Sequence, residues 1–187
     1  KIMAKSIRNV VTQGLSGTIG TLVFSQRGGQ TIVGMRPQGQ REFSGEQKEH
    51  QRTFQRAVLY GKMAIADAEM KADYQQKVKP GQSAFNVAVA DFFNAPVIDH
   101  IDLSNYTGKV GDTIRVRVYD DFAVREVRVR ITNADGSIVE DGAAQTDAIG
   151  YEWTYVATQT NESPEGGRIE IFVSDTPGNV THGEREL

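Results

Sequence analysis

The sequence changes character near Pro96, and this change limits the folds available to the chain. Before it, apolar residues follow the spacing of helices, and after it short segments alternate apolar and polar residues, as strands do. Charge changes at the same place: residues 1–96 hold 13 Lys and Arg against 7 Asp and Glu, whereas residues 97–187 hold 8 against 17, which gives +6 and −9. We therefore expect two domains, a basic one at 1–96 and an acidic one at 97–187, each with a modest core.

A β-hairpin is predicted within residues 17–36. Two β-rich runs flank Gly28 and Gly29, which supply the positive φ angles of a two-residue hairpin turn. The resulting register pairs apolar residues on one face, Leu22 with Met35 and Phe24 with Val33. Because an isolated hairpin is marginal in water, this face needs a cover, either the helices that follow or another chain. Short connections usually join neighbouring elements, which favours the helices.

Three helices are predicted to follow the hairpin. Ser44 and Gln47 have the spacing of a capping box, so the first helix begins at Ser44. It breaks near Asp67, which caps a second helix, and Ser83 caps a third helix that ends by Asn94. The apolar stripe of the first helix is expected to lie in the core and consists of Phe54, Ala57, Val58, Gly61, Ala64 and Ile65. The first half is thus an α+β module, a hairpin with about three helices.

About seven short strands are predicted after Pro96, at residues 97–103, 113–119, 126–131, 137–140, 151–157, 168–174 and 180–184. Short alternating strands separated by turns are typical of a β-sandwich. The side chains expected to face inward are Ile114, Val116, Val118, Val127, Val129, Ile131, Tyr151, Trp153, Tyr155, Ile169, Ile171 and Val173.

Three segments of the second half resemble those of bacterial immunoglobulin-like domains: DDFAV at 120–124, the turn NADG at 133–136 and DTPGN at 175–179. The resemblance implies an all-β immunoglobulin-like sandwich, an architecture that serves adhesion, spacing, carbohydrate contact and virion decoration alike. In some relatives acids at strand ends bind calcium, which would point to Asp120, Asp121 and Asp175. These acids lack the ligand spacing of an EF-hand, and we expect turn acids without a metal.

Two further resemblances concern the first half, the second weaker than the first. The segment GLSGTIG at 14–20, the run through Gly28-Gly29 to Arg36-Pro37 and QRTF at 51–54 are similar to the opening of a family of uncharacterised bacterial proteins, which implies a recurring module but no activity. The segment KADYQQK at 71–77 is similar to the second helix of HMG-box proteins, which bend DNA, although the dense basic flank of that family is absent.

The residues that carry most enzyme chemistry are absent or scattered. The chain has no Cys, and His50, His100 and His182 have no partners at the spacing of metal ligands or of a catalytic triad. The glycines at 14–20 are not followed by the Gly-Lys-Ser/Thr of a phosphate loop. We therefore predict that the protein is not an enzyme and has no catalytic residue, no cofactor and no metal site.

The chain has no run of about 18 apolar residues, so we expect no membrane span. No apolar signal-peptide core follows Met3, and we expect no secretion signal in the chain, which leaves the compartment open.

The favoured hypothesis is a structural or assembly protein, in which the basic module docks on a neighbouring subunit or another protein and the sandwich is displayed or acts as a spacer. The candidate interaction residues are Leu22, Phe24, Val33, Met35, Arg27, Arg36 and Arg41. The alternative is a nucleic-acid-associated protein using residues 1–62, where 10 Lys and Arg meet 3 Asp and Glu. A third hypothesis is glycan binding through Tyr119 or Trp153.

Overall fold

The computed structural model describes residues 3–6, 10–36 and 43–187. A β-sheet at the N-terminus is followed by three helices and then by two four-stranded antiparallel sheets. The protein is therefore α+β with a β-rich C-terminal half, as predicted. By the density of its internal contacts the chain divides into Lys1–Lys48 and Glu49–Leu187, so most of the helical part is grouped with the later strands. Independent folding on either side of Pro96 stays a prediction.

The N-terminal sheet contains the predicted hairpin and two further strands. Its strands are β1 (Met3–Ser6), β2 (Gly17–Ile19), β3 (Leu22–Arg27) and β4 (Gln30–Met35), in the antiparallel order β1-β4-β3-β2. Gly28 and Gly29 have φ angles of 54° and 74°, as the two-residue turn requires. The predicted register is confirmed, because Leu22 lies opposite Met35 and Phe24 lies opposite Val33.

The helices are α1 (Gly45–Ala66), α2 (Ala68–Gln76) and α3 (Ala84–Asp91). The capping box is confirmed: the Ser44 N–H donates to Gln47 Oε1 at 3.1 Å, and the Gln47 N–H donates to Ser44 Oγ at 3.2 Å. Asp67 caps α2 and Ser83 caps α3, both as predicted. No helix in the described part of the chain is long and apolar enough to cross a membrane.

Helix α1 packs closely on α3 at Gly61. A Cβ at this position would lie 2.7 Å from Val89 Cγ2 and 2.9 Å from Phe85 Cε2. The predicted stripe is correct for Ala57, Gly61 and Ala64, which are buried. It is wrong for Phe54, which is half exposed and stacks on Phe93 with ring centroids 6.3 Å apart. The close approach at Gly61 leaves no space between the helices for larger side chains.

The β-rich half holds β5 (Val97–Asn105), β6 (Thr113–Tyr119), β7 (Val124–Thr132), β8 (Ile138–Ala143), β9 (Gln145–Thr146), β10 (Glu152–Val156), β11 (Arg168–Asp175) and β12 (Val180–Glu186). One sheet has the order β5-β6-β10-β9 and the other β12-β11-β7-β8. Their buried apolar residues form one core cluster. A hydrogen bond of 2.8 Å from the Tyr155 hydroxyl to Glu140 Oε2 joins β10 of the first sheet to β8 of the second.

Eleven of the twelve predicted inward-facing side chains are buried. The exception is Tyr151, for which the prediction is wrong. It precedes the first residue of β10 and is exposed, and its hydroxyl donates to Asp99 Oδ2 at 2.8 Å. A polar partner at the surface therefore holds this side chain outside the core.

We expect Gly61→Ala to lower the free energy of unfolding by about 1–3 kcal/mol, although alanine favours helices, because the new methyl group overpacks the contact with Val89 and Phe85. The control is Gly45→Ala at the start of the same helix, where a Cβ would meet nothing within 4 Å. Urea unfolding measures both variants. A Gly61→Ala chain as stable as Gly45→Ala would contradict the close packing of α1 on α3.

Candidate functional site

The candidate interaction surface lies on the N-terminal sheet. Residues directly opposite each other in an antiparallel pair share a face, so the pairings of β2, β3 and β4 define an apolar face. It consists of Ile19, Leu22, Phe24, Val33 and Met35. Four of these were predicted from the sequence. Arg27 lies on the opposite face, paired with Gln30, and Arg36 directly follows β4 and is exposed. Arg41 lies outside the described residues.

One end of the apolar face is closed by a turn segment from the same unit. Gln26 and Thr31 lie opposite each other and continue the face beyond Phe24 and Val33. Gln26 Nε2 donates to the Leu15 carbonyl at 2.7 Å, and Thr31 Oγ1 donates to the Thr12 carbonyl at 2.9 Å. These hydrogen bonds hold the chain before β2 against this end of the sheet.

The other end of the apolar face is open to solvent. Ile19 is 61% exposed, Leu22 41% and Met35 55%, and the three are cross-strand neighbours. Phe24 and Val33 are half-buried. In the described part of residues 1–48 no apolar side chain is fully buried, and the one buried residue is Thr31, at 3% exposure. A four-stranded sheet with this burial pattern has no core of its own.

Ile19 belongs to the surface but was missed in the sequence. Its strand, β2, has three residues, begins at Gly17 with a φ of 113°, and is followed by Gly20 with a φ of 58°. A run this short carries no measurable alternation. The available signal was Gly20, because Ile19 pairs with Leu22 across a turn that contains this glycine, and glycine is the residue that most readily adopts the positive φ of a tight turn.

We expect Phe24→Asp to lower the thermal midpoint and the soluble yield, because the carboxylate would replace a half-buried ring on the apolar face. Ser25→Asp is the matched control, since Ser25 is exposed on the opposite face of β3. We expect Phe24→Asp to lower the free energy of unfolding by about 1–3 kcal/mol and Ser25→Asp to change it little. Equal effects would show that the two faces are not distinct in solution.

A second candidate site is a group of three carboxylates in the unit Glu49–Leu187. Asp91 is the last residue of α3, Asp120 follows β6 and Asp175 is the last residue of β11. One carboxylate oxygen from each lies within 4.8 Å of one oxygen of each of the others, and these are the residues in the described part of the chain that come close enough to share a metal ion. Of the predicted turn acids, Asp120 and Asp175 belong to this carboxylate cluster and Asp121 does not.

Hydrogen bonds orient each member of the carboxylate cluster. The Tyr74 hydroxyl donates to Asp91 Oδ2 at 2.6 Å, and this hydroxyl lies 2.6 Å from that of Tyr60. The Phe122 N–H donates to Asp120 Oδ2 at 3.0 Å. Asp175 accepts from the backbone N–H groups of Gly178 and Asn179 and from the Asn179 side chain, at 2.6 to 2.8 Å. Through these hydrogen bonds each acid also fixes the loop or helix end that carries it.

The pKa of Asp91 is raised to about 7, chiefly by burial and in part by the nearby Asp120, Asp121 and Asp175, while the Tyr74 hydrogen bond acts in the opposite direction. Burial also raises the pKa of Asp120. The pKa of Tyr74 is raised by burial and by its hydrogen bonds to Asp91 and Tyr60, so its hydroxyl keeps its proton and acts as the donor. The raised pKa of Asp91 follows from a buried carboxyl group among other acids.

This pKa makes stability depend on pH. Between the ordinary pKa of Asp91 and its folded value of about 7 the folded state binds more protons than the unfolded state, so the free energy of unfolding falls as pH rises through this range. We expect Asp91→Asn, which keeps an acceptor for Tyr74, to remove this slope in buffer free of divalent cations. The variant should be more stable than the wild type at about pH 8, by up to roughly 4 kcal/mol. An unchanged slope in urea titrations would contradict the assignment to Asp91.

Comparisons with known proteins give little information about the family of this chain. No protein-family model matches it, and no curated protein is significantly similar to it. Among solved structures it is similar to the crystal structure of an engineered protein, with 20% identity and a TM-score of 0.33. The match covers 57% of this chain and 28% of the engineered chain, so it takes in less than a third of that protein.

Proposed function

We propose that the chain is a non-enzymatic structural or assembly protein. Its N-terminal sheet docks on a neighbouring copy or another protein through the apolar face, and its β-rich half is displayed or serves as a spacer. The observation that carries the proposal is the burial pattern of that sheet: Ile19, Leu22 and Met35 stay exposed, and the described part of residues 1–48 buries no apolar side chain. A sheet becomes stable by burying one face against another layer, so it needs a cover.

Charge supports a protein partner of opposite sign. Residues 1–48 hold 7 Lys and Arg against 2 Asp and Glu, a net charge of +5, whereas residues 49–187 hold 14 against 22, a net charge of −8. A basic unit and an acidic unit on one chain favour head-to-tail contacts between copies, in which each contact leaves a further unit free to bind. The apolar face supplies the buried contact and the charges steer it.

The order of the later strands supports an immunoglobulin-like sandwich. With β5 to β12 taken as strands A, B, C, C′, D, E, F and G, one sheet has the order A-B-E-D and the other G-F-C-C′. This order matches that of the two sheets of immunoglobulin-type domains, with one extra strand beside C. A domain of this kind suits display and spacing, and its fold alone gives no evidence of catalysis.

The other hypotheses find less support. The basic stretch at 1–62 still suits nucleic acid, which makes DNA binding an outcome of the test below. Of the two aromatic residues considered for glycan binding, Trp153 is buried in the core and Tyr119 is exposed.

Sedimentation velocity of the full chain, at rising concentration and at low and high salt, tests the proposal. We expect a concentration-dependent oligomer that weakens as salt screens charges beyond about 8 Å, without dissociating completely. Leu22→Asp should weaken association at least tenfold, whereas Ser25→Asp, with the same added charge on the opposite face, should not. A chain that stays monomeric but binds duplex DNA with a steep salt dependence would overturn the proposal in favour of the nucleic-acid hypothesis.

A further inference from the structure

The carboxylate cluster lies where three chain segments end together. The C-terminal end of α3 brings Asp91, the loop after β6 brings Asp120 and the end of β11 brings Asp175, with one oxygen of each within 4.8 Å of the others. Asp91 comes from a helix that precedes the β-rich half. The cluster is therefore not a feature of the β-strands alone, and it joins the helices to the ends of two strands, one from each sheet of the β-rich half.

Two buried oxygens of the carboxylate cluster accept no hydrogen bond. Asp91 is 1% exposed, and while its Oδ2 accepts from Tyr74, its Oδ1 has no donor. The Oδ1 of Asp120 is also buried without a donor. A buried acceptor without a partner is destabilising, and more so when it is charged, so unpaired oxygens of this kind call for an explanation such as a bound ion or water. Here two of them belong to neighbouring acids.

No basic side chain in the described part of the protein forms an ion pair with the carboxylate cluster. None of the ion pairs between described residues includes Asp91, Asp120 or Asp175. Asp121 adds a further carboxylate close by and accepts from Asn94 Nδ2 at 2.7 Å. Lys77 lines the same cavity of about 320 Å³ as Asp120 without forming an ion pair with it. Asp121 thus adds to the negative charge around the cluster, and Asp120 also borders a cavity.

We propose that Asp91, Asp120 and Asp175 bind a calcium ion, which links the end of α3 to the ends of β6 and β11. Carboxylate oxygens are hard ligands that suit Ca²⁺ and Mg²⁺. Calcium is favoured because it accepts six to eight oxygens in irregular geometry, whereas Mg²⁺ requires near-ideal octahedral coordination and retains several waters. The hydrogen bonds from Tyr74, Phe122 and Asn179 orient the three acids as outer-shell partners do in metal sites.

The assignment differs from the set that the immunoglobulin-like resemblance implied. That set contained Asp121, which the structure leaves outside the carboxylate cluster, and lacked Asp91, which lies outside the β-rich half. The ion would bind the helical part to the strands, so its loss should loosen the contact of α2 and α3 with the loop at Phe122. This is a stabilising role for the ion, separate from docking by the N-terminal sheet.

The test uses the full chain after treatment with EDTA and dialysis, with calcium chloride as the only addition. Isothermal titration should show one ion per chain, and the thermal midpoint should rise by about 5–10 °C when free calcium exceeds its dissociation constant a hundredfold. Magnesium chloride at the same ionic strength should raise the midpoint less. No heat and no shift up to about 10 mM calcium would overturn the proposal, and so would an equal shift with magnesium.

Asp91→Asn separates a bound ion from a general salt effect. The asparagine keeps an acceptor for Tyr74 but removes one charge, so the variant should fold and lose most of the calcium shift. Asp135→Asn is the control, since Asp135 lies in the turn before β8 and caps only Ser137. If Asp91→Asn fails to fold, Asp120→Asn replaces it. A calcium shift that survives both changes at Asp91 and Asp120 would show that the ion binds elsewhere.

Discussion

An apolar sheet face must be covered, and the two units of this chain meet that requirement differently. In the β-rich half two sheets cover each other, and inward residues such as Val116 and Ile171 are fully buried. The N-terminal sheet has the same antiparallel hydrogen bonding, but Leu22 and Met35 remain exposed and the described residues around them form no core. Its stability must then depend on what lies against that face, which is why we interpret it as a docking surface and not as a finished domain.

The helices and the later strands form a different kind of joint. The Phe122 ring stacks on Tyr74 at 4.1 Å, Asn179 Nδ2 donates to the Phe92 carbonyl, and Thr181 Oγ1 donates to the Pro96 carbonyl. The carboxylate cluster belongs to this joint, because Tyr74 and Asn179 donate hydrogen bonds to Asp91 and Asp175. Because buried carboxylates repel each other, we expect this joint to be most stable when a proton or a cation balances their charge. The pH and the cation concentration of the solution should therefore affect the stability of this joint first.

Much of the fold could be predicted because its signals are local. Alternation placed Val116, Val129 and Ile171 in the core, and the Gly28-Gly29 turn set the register of the hairpin. Side-chain capping placed the starts of the helices. Each of these depends on residues a few positions apart, where spacing determines geometry.

The sites could be predicted only in part because they depend on distant residues. Nothing near Asp91 indicates that the end of α3 meets Asp120 and Asp175, which follow much later in the chain.

Some details of the strands were also missed. Tyr151 fits the alternation of the neighbouring strand, yet its hydroxyl donates to Asp99 at the surface and the strand begins one residue later. β1 and β2 are too short for periodicity to show them, so the sheet that surrounds the hairpin was missed.

Amide hydrogen exchange along β3 and β4 tests the docking account most directly. The account predicts that backbone amides from Leu22 to Met35 exchange quickly in dilute solution and become protected as concentration rises, while the amides of β6 and β11 stay protected throughout. The later strands serve as an internal reference, because their core is complete within one chain. Equal and strong protection of β3 and β4 at every concentration, in a chain that remains monomeric, would contradict the claim that this sheet depends on a neighbour.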